Sequence, residues 1–169
     1  TETMKVCVRD GRWAFDPARD VLLAASIERH KATGKLGLGL VAGFGLKQHG
    51  ALGSTVAHDA HNIVLAGTNP RDLCLCVAEL ARLGGGFVVA GAGKVLARLP
   101  LPVAGLLATD RAEDVIRELE EVNRAARALG CPLDAPFGYL SFLALPVIPE
   151  LRITDQGLYD VVKQQFVSV

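Results

Sequence analysis

Aromatic side chains and net charge are what this sequence has least of. Phe, Trp and Tyr make up 5% of the 169 residues, and 18 Lys and Arg are balanced by 18 Asp and Glu. The basic residues are scattered, whereas nucleic acids and anionic membrane surfaces are recognised by clustered Lys and Arg. The sequence therefore predicts no nucleic-acid partner and no membrane surface as a partner.

Long apolar runs and a secretory signal are also missing. The apolar stretches are interrupted by Gly, Pro or a charge well before the roughly 20 residues that span a bilayer. The first residues, TETMKVCVRDGRW, lack the apolar core and cleavage site of a signal peptide. Cys74 and Cys76 fall two apart in a predicted helix, so they point in different directions and suit neither a shared metal nor a disulfide. We expect a cytoplasmic protein with free thiols.

The residues that are plentiful are small and aliphatic. Half of the sequence is hydrophobic, and with so few aromatics the core must be built mainly from Ala, Val, Leu and Ile. A chain of this length suits one domain, and no polar linker divides it. The prediction is a single α/β (α+β-like) domain over residues 1–169. It has a mixed sheet of short strands, two or three packed helices and an approximate ββα repeat.

Local patterns place the first elements. Residues 4–8 and 12–15 alternate like strands and flank an Asp-Gly pair of the kind that closes hairpins. Asp16 and Pro17 have the order of a helix N-cap and a first-turn proline, and a roughly helical apolar stripe follows them. This predicts a helix from Asp16 to about Lys31. The glycine-rich segment 36–45 is compatible with a strand that another backbone approaches closely.

Two successive segments then show the order strand, strand, helix. Asn69 and Pro70 predict the start of the first helix, and the glycines at 84–86 predict its end. Asp110 and Glu113 have capping-box spacing before the second helix, whose outer face is charged and solvated. The predicted ranges are strands 51–57 and 62–66 in the first unit, strands 87–90, 94–99 and 103–107 in the second, and helix 111–129.

The last part of the chain is apolar and punctuated by prolines. Residues 137–145 form an apolar run, and Pro146 and Pro149 exclude the passage after it from a central strand. Such a passage is typical of a segment that crosses a surface or docks on a neighbour. A strand-like stretch over 161–169 ends the sequence.

The candidate functional residues concentrate in STVAHDAHNIVLAGT, residues 54–68. Here two imidazoles, a carboxylate and an amide interrupt an apolar run, at His58, Asp59, His61 and Asn62. These groups could transfer protons, bind a metal or hydrogen-bond a polar ligand. On a continuous strand they would point to both faces, so a turn is needed to bring them together. Second-tier candidates are Glu28, His30 and Ser54.

Three chemistries are open for residues 58–62. A metal could use His and Asp, but the stretch offers only three close ligands and no second HxH or CxxC completes a structural zinc site. Ser54, His58 and Asp59 are the residue types of a catalytic triad, but the sequence around Ser54 lacks the GxSxG elbow that presents a nucleophile. The third reading is a polar turn that only satisfies its own backbone.

Several separated runs resemble the carboxy-terminal domain of bacterial adenine deaminase, an amidohydrolase-superfamily enzyme. They are IERHKATG, VAGFGLKQHGALGSTVAHDAHNIVLAGTN, LARLPLPVAGLL and PFGYLSFLALPVIPELRITDQGLYDV, and together they cover nearly the whole chain. Ala60 stands where the family's HDSHN motif usually has serine.

The resemblance implies a role inside a larger enzyme. Its metal-dependent (β/α)8 barrel, with manganese or iron, would activate the water that converts adenine to hypoxanthine and ammonia. The barrel and its ligands are not in this sequence, so we expect no metal on this chain, and no activity from it alone. The chain would complete or cover the barrel's active site through residues 58–62. The alternative is a non-catalytic binding or oligomerisation module. The implied partners are adenine, the barrel and further copies of the chain in a homo-oligomer.

Overall fold

The computed structural model describes residues 7–9, 12–14 and 16–167. Strands β1 (Cys7–Arg9) and β2 (Arg12–Ala14) pair antiparallel, with Cys7 opposite Ala14. The predicted hairpin is confirmed over these residues. Its Asp-Gly pair and the outer ends of its predicted strands lie outside the described residues.

A six-stranded sheet forms the centre of the molecule. Its strands are β3 (Leu22–Ile27), β4 (Leu36–Val41), β5 (Gly50–Ser54), β6 (Ile63–Gly67), β7 (Gly86–Gly91) and β8 (Lys94–Pro100). They lie in the order β4-β3-β6-β5-β7-β8, and each neighbouring pair is antiparallel. The strands of both predicted ββ pairs are confirmed, except that the strand predicted over 51–57 ends at Ser54.

Helices cover both faces of this sheet. Helix α1 (Pro70–Leu83) packs on one face, where Leu80 joins Leu65 and Val88 in a buried cluster. Helices α2 (Ala112–Ala128) and α3 (Pro136–Phe142) pack on the other face, where Val122 and Leu140 are buried. The α/β class and the ββα repeat are therefore confirmed. The sheet and the helices on its two faces form three layers. Within the described residues, no helix is both long and apolar enough to cross a membrane.

The helix ends follow the sequence signals in part. Asn69 caps α1 by accepting a hydrogen bond from the Asp72 N–H at 2.9 Å, and Gly84 ends it with a φ of 76°. Helix α2 has Arg111 at its N-cap position and no side-chain cap hydrogen bond. The capping box predicted for Asp110 and Glu113 is therefore wrong. The predicted solvation of the charged face of α2 is confirmed.

The helix predicted from Asp16 to Lys31 is wrong. Asp16 accepts a hydrogen bond from the Ala18 N–H at 3.2 Å, but the turn that it caps lasts only over Pro17–Arg19. Strand β3 follows, with Leu22 in the cluster under α2 and Ala25 in the cluster under α1. A strand that is buried on both faces has apolar residues at successive positions. Some of these residues fall at the spacing of a helical apolar stripe, so the pattern predicted a helix.

The strand predicted over 103–107 is also wrong. Ala104 and Gly105 have φ values of 56° and 74°, in the left-handed region that an extended strand excludes. The segment is a tight turn closed by an isolated bridge between Val103 and Leu107. The Thr55 hydroxyl donates to the Gly105 carbonyl at 2.7 Å and holds this turn beside the end of β5.

A second, small sheet packs against β4. It contains β9 (Leu151–Thr154), β10 (Gly157–Asp160) and β11 (Gln165–Val167) in the order β11-β10-β9. A Cβ on Gly37 would collide with the Thr154 carbonyl oxygen, so glycine in β4 allows the close approach that the sequence predicted. Only 165–167 of the strand predicted over 161–169 is strand. A turn occupies 161–164, and residues 168–169 are not described.

Candidate functional site

The polar turn, residues 58–62, connects β5 to β6 at one end of the central sheet. The structure places His58, Asp59, His61 and Asn62 in this single turn. His58 and Asp59 are exposed, His61 is half-buried and Asn62 is buried. The His61 N–H donates to the carbonyl of Ala57 at 2.6 Å, and its φ of 50° closes the turn. The roles of these four side chains stay a prediction.

The imidazole of His61 is held at the base of the turn. Its Nδ1 accepts a hydrogen bond from the Ala57 N–H at 3.3 Å, and its ring lies edge-on to His58 with the centroids 5.2 Å apart. Burial lowers the pKa of His61, and the charges of His58 and Arg29 lower it further. The neutral imidazole is therefore favoured at neutral pH, with its proton on Nε2 because Nδ1 accepts from the Ala57 N–H.

Two residues that follow β3 hold the turn by its backbone carbonyl groups. Arg29 Nε donates to the carbonyl of His61 at 2.6 Å, and its Nη2 donates to that of Ala104 at 2.6 Å. His30 Nε2 lies 2.7 Å from the Ala60 carbonyl oxygen. We call Arg29 and His30 the clamp. Because the clamp uses main-chain atoms, the exposed side chains of the turn are left for other partners.

Glu28 has a structural task beside the clamp. Its carboxylate accepts hydrogen bonds from the backbone N–H groups of Thr33 (3.0 Å), Lys31 (2.7 Å) and His30, and from the Thr33 hydroxyl (2.9 Å). The Thr33 N–H, followed by that of Lys31, lowers the pKa of Glu28 to about 2. The carboxylate therefore stays ionised and organises the loop between β3 and β4.

Ser54 is the candidate that the structure leaves out of the turn. Its hydroxyl accepts from the Val56 N–H at 2.9 Å and donates to the Val56 carbonyl at 3.2 Å. The side chain is fully buried. This local pairing gives Ser54 a turn-forming role, and a Ser-His-Asp arrangement with His58 and Asp59 stays a prediction.

A cleft of about 550 Å³ opens between the polar turn and the small sheet. The turn contributes Asp59 and Asn62 to its lining, and the small sheet and its connections contribute Asp155, Tyr159 and Phe166. The rings of Tyr159 and Phe166 meet edge to face, with 5.2 Å between centroids. A cleft of this size can hold a small organic molecule.

Asn62 is the buried polar residue of this cleft. Its Nδ2 donates to Asp155 Oδ1 at 3.2 Å, and this carboxylate fixes the orientation of the amide because only the amide nitrogen can donate. Asn62 Oδ1 is buried and has no hydrogen-bond partner among the described residues. A buried acceptor that has no hydrogen-bond donor destabilises a fold by about 1–3 kcal/mol.

A metal site does not fit the described residues. In the ranges 7–9, 12–14 and 16–167, no three His, Cys, Asp or Glu side chains come close enough together to hold an ion. His58, Asp59 and His61 thus share a turn without forming a ligand set. We derive no metal-dependent step from this chain.

Comparison with known proteins identifies the family. The model of the adenine deaminase C-terminal domain matches residues 1–165. The chain belongs to this family. Adenine deaminases of Dehalococcoides mccartyi, Desulfatibacillum aliphaticivorans and Methanothrix thermoacetophila are 51%, 49% and 53% identical to it, over 94%, 99% and 91% of the chain. These matches cover 28%, 29% and 27% of the relatives, so the chain spans less than a third of their length.

In this adenine deaminase C-terminal domain, sequence reasoning missed the groups that support the turn. Arg29 lies between the candidates Glu28 and His30, near the end of the segment that was predicted to be a helix. Asp155 meets Asn62 across 93 positions in sequence, and no local pattern signals that contact. The Asp155 segment belongs to the ITDQGLYDV motif on which the family resemblance rests, and that was its only signal.

Proposed function

We propose that the chain is part of an enzyme that hydrolyses adenine to hypoxanthine and ammonia. The polar turn completes or covers an active site that is formed by a metal-dependent barrel elsewhere in the enzyme. One observation carries this proposal: the clamp fixes the turn by its main chain, and His58 and Asp59 remain exposed beside a cleft. The lowered pKa of His61 in the same turn supports a functional role, because shifted pKa values cluster at functional sites.

Within the proposal, the side chains of the turn orient adenine or move protons. His61 favours its neutral form, in which Nε2 carries the proton and can donate a hydrogen bond, while Asp59 lines the cleft as a hydrogen-bond acceptor. A divalent metal, manganese or iron, would belong to the barrel and supply an activated water at neutral pH. The chain's own contribution is binding and orientation. We infer that the enzyme works in the cytoplasm, which suits the free thiols of Cys74, Cys76 and Cys131.

A binding or oligomerisation module is the second candidate, and one observation favours it. Tyr139, Phe142 and Val147 are 55%, 49% and 67% exposed in and beside α3. Tyr139 and Phe142 also line an apolar groove of about 310 Å³. Exposed large apolar residues that share a groove are typical of an interaction surface, here for the barrel or a second copy of the chain.

Removing this domain from the full-length enzyme distinguishes the two candidates. If the turn completes the active site, the truncated enzyme should keep its metal content and lose adenine deamination by roughly 100-fold or more in kcat/KM. If the domain only joins subunits, truncation should change the sedimentation coefficient and leave kcat/KM unchanged. Metal content by elemental analysis is the control for a barrel that stays folded.

A further inference from the structure

One face of strand β4 is apolar and open to solvent. The strand alternates leucine and glycine over residues 36–40, so the leucines share one face and the glycines share the other. The glycine face receives the small sheet, since a Cβ on Gly39 would lie 3.0 Å from the Ile153 side chain. On the other face, Leu36 and Leu38 are 50% and 41% exposed. A strand with one solvated face normally carries polar residues there.

Strand β3 extends this apolar surface. In the antiparallel register, each of the three leucines lies opposite an aliphatic residue of β3 on the same face of the sheet. Helix α1 covers this face over β5, β6, β7 and β8. We call the part of the face on β3 and β4 the leucine face, and its residues are Leu23, Ala25, Ile27, Leu36, Leu38 and Leu40. All six side chains are aliphatic, so none of them attracts a charged or polar partner.

The leucine face extends to the polar turn. Ile27 lies opposite Ile63, the residue that follows the turn, and it stands two positions before Arg29 of the clamp. A partner that covers the leucine face therefore also borders the polar turn.

The size of the leucine face distinguishes two kinds of partner. A stable interface between separate proteins uses about 20–30 residues on each side. The leucine face has six, so it would hold a second copy of the chain only weakly. A domain that is linked in the same polypeptide is present at an effective concentration of about millimolar, and a small face is then sufficient. The chain spans less than a third of the adenine deaminases that it matches, so most of their length is available as such a partner.

We propose that the leucine face is the surface on which the rest of the longer enzyme docks, and that this contact is made within one polypeptide. The docked part presents aliphatic or aromatic side chains to Leu36 and Leu38, because an unpaired charge is disfavoured where it is buried against apolar groups. The inference rests on the proposed function in one respect, that the chain is part of a longer enzyme. It does not depend on what the polar turn does in the reaction.

Cysteine labelling of Leu38→Cys tests this proposal in the full-length enzyme and in the isolated chain. The rate of maleimide modification at position 38 is measured by peptide mass spectrometry, which separates this site from the native thiols. We expect modification to be roughly tenfold or more slower in the full-length enzyme, because the docked part must first open. Equal rates in the two proteins would overturn the proposal.

Leu96→Cys is the matched control. Leu96 is 48% exposed and lies on β8, the strand at the other edge of the same sheet. This position should be modified at the same rate in the full-length enzyme and in the isolated chain. Equal slowing at positions 38 and 96 would show general shielding by the longer protein and would also overturn the proposal.

A second copy as the occupant gives a different result. Modification of Leu38→Cys in the isolated chain would then become slower as the protein concentration is raised. In the full-length enzyme, a photoreactive maleimide at position 38 captures the neighbouring segment in a mixture of unlabelled and isotope-labelled subunits. We expect cross-linked peptides of a single isotope composition, and mixed peptides would overturn the contact within one polypeptide. These readouts do not measure turnover, so this proposal and the truncation test can fail independently.

Discussion

His61 differs from the other imidazole of the turn in its surroundings. His58 projects into solvent, whereas His61 is half-buried and engages the Ala57 N–H through Nδ1. Burial lowers the pKa of His61 first, and the positive charges of His58, Arg29 and His30 act in the same direction. Asp59 opposes the shift. The protonated form is thus disfavoured in the native state.

This shift predicts a pH dependence of stability. With its native pKa below the ordinary value of about 6.5, His61 binds a proton more readily in the unfolded chain. Its contribution to stability is therefore complete above pH 6.5 and is lost as pH falls through the native pKa. Thermal midpoints between pH 7.5 and 5 should fall more steeply for the wild type than for His61→Gln. Equal slopes, together with an ordinary NMR titration of the His61 ring, would contradict this prediction.

At the scale of elements, Arg29 joins three segments of the chain. Its guanidinium bonds the turn after β5 through His61 and the loop after β8 through Ala104. In both hydrogen bonds the guanidinium group donates to a carbonyl oxygen. The pair requires the forked geometry of arginine, which lysine lacks. The position of the polar turn therefore depends on the end of β3.

Arg29→Ala and Arg29→Lys should both loosen the turn. We expect faster amide hydrogen exchange over residues 57–62 and 103–107 in each variant, with unchanged exchange in α1. The global free energy of unfolding should fall by about 1–3 kcal/mol, because a charged donor pair is lost. Arg124→Ala, on the solvated face of α2, is the control and should change neither quantity. Normal protection of the turn in Arg29→Lys would show that the fork is not required.

The contact between β4 and the small sheet depends on glycine. A Cβ on Gly37 would collide with the backbone of Thr154, whereas a Cβ on Gly138 in α3 meets no atom within 4 Å. Gly37→Ala should therefore lower the free energy of unfolding by about 1–3 kcal/mol through overpacking. Gly138→Ala should raise it by about 0.5–1 kcal/mol through helix propensity. Denaturant titrations measure both changes, and a neutral Gly37→Ala would show that the two sheets separate easily.

Local sequence signals predicted an element correctly where a single local signal determines its start or its end. The Asn69 cap and Gly84 delimit α1, as their positions predicted. Strand β3 resembles a helix in sequence because side chains on both of its faces are buried, Leu22 in one cluster and Ala25 in the other, and that burial is a tertiary property. The Asp16 cap was real, but the turn that it starts ends at Arg19.

The sequence predicted the residues of the candidate site. It did not predict the residues that hold the turn in place. His58, Asp59, His61 and Asn62 are neighbours in sequence, so a turn was enough to bring them together. The groups that hold or border the turn come from Arg29, from Asp155 and from the Tyr159–Phe166 pair. These contacts join distant parts of the chain and follow from the way the two sheets pack.

At the scale of the whole molecule, the chain corresponds to one part of longer adenine deaminases. It matches 27–29% of the adenine deaminases to which it is similar, and its described residues contain no set of metal ligands. In the function proposed here, the described residues supply binding and orienting groups, which act on a reaction only when the groups that activate water are also present.

The isolated chain should therefore not deaminate adenine. Incubation of the purified chain with adenine and Mn²⁺ should release no ammonia above the buffer control, whereas the full-length enzyme under the same conditions should release it. Hypoxanthine is measured by chromatography, and intact mass excludes longer contaminants. Turnover by the chain alone at a rate near that of the full-length enzyme would contradict the proposal that the barrel, and not this chain, activates the water.

The most direct test of the central claim compares folding with catalysis in the full-length enzyme. Asp59→Ala and His61→Ala should lower kcat/KM by roughly 100-fold, a typical loss for a missing acid–base group. Their thermal midpoints should fall by only a few degrees, because each side chain contributes about 1 kcal/mol or less to the fold. Metal content should stay at the wild-type value. If the midpoints collapse while the folded fraction keeps its kcat/KM, the polar turn is structural and the claim is wrong.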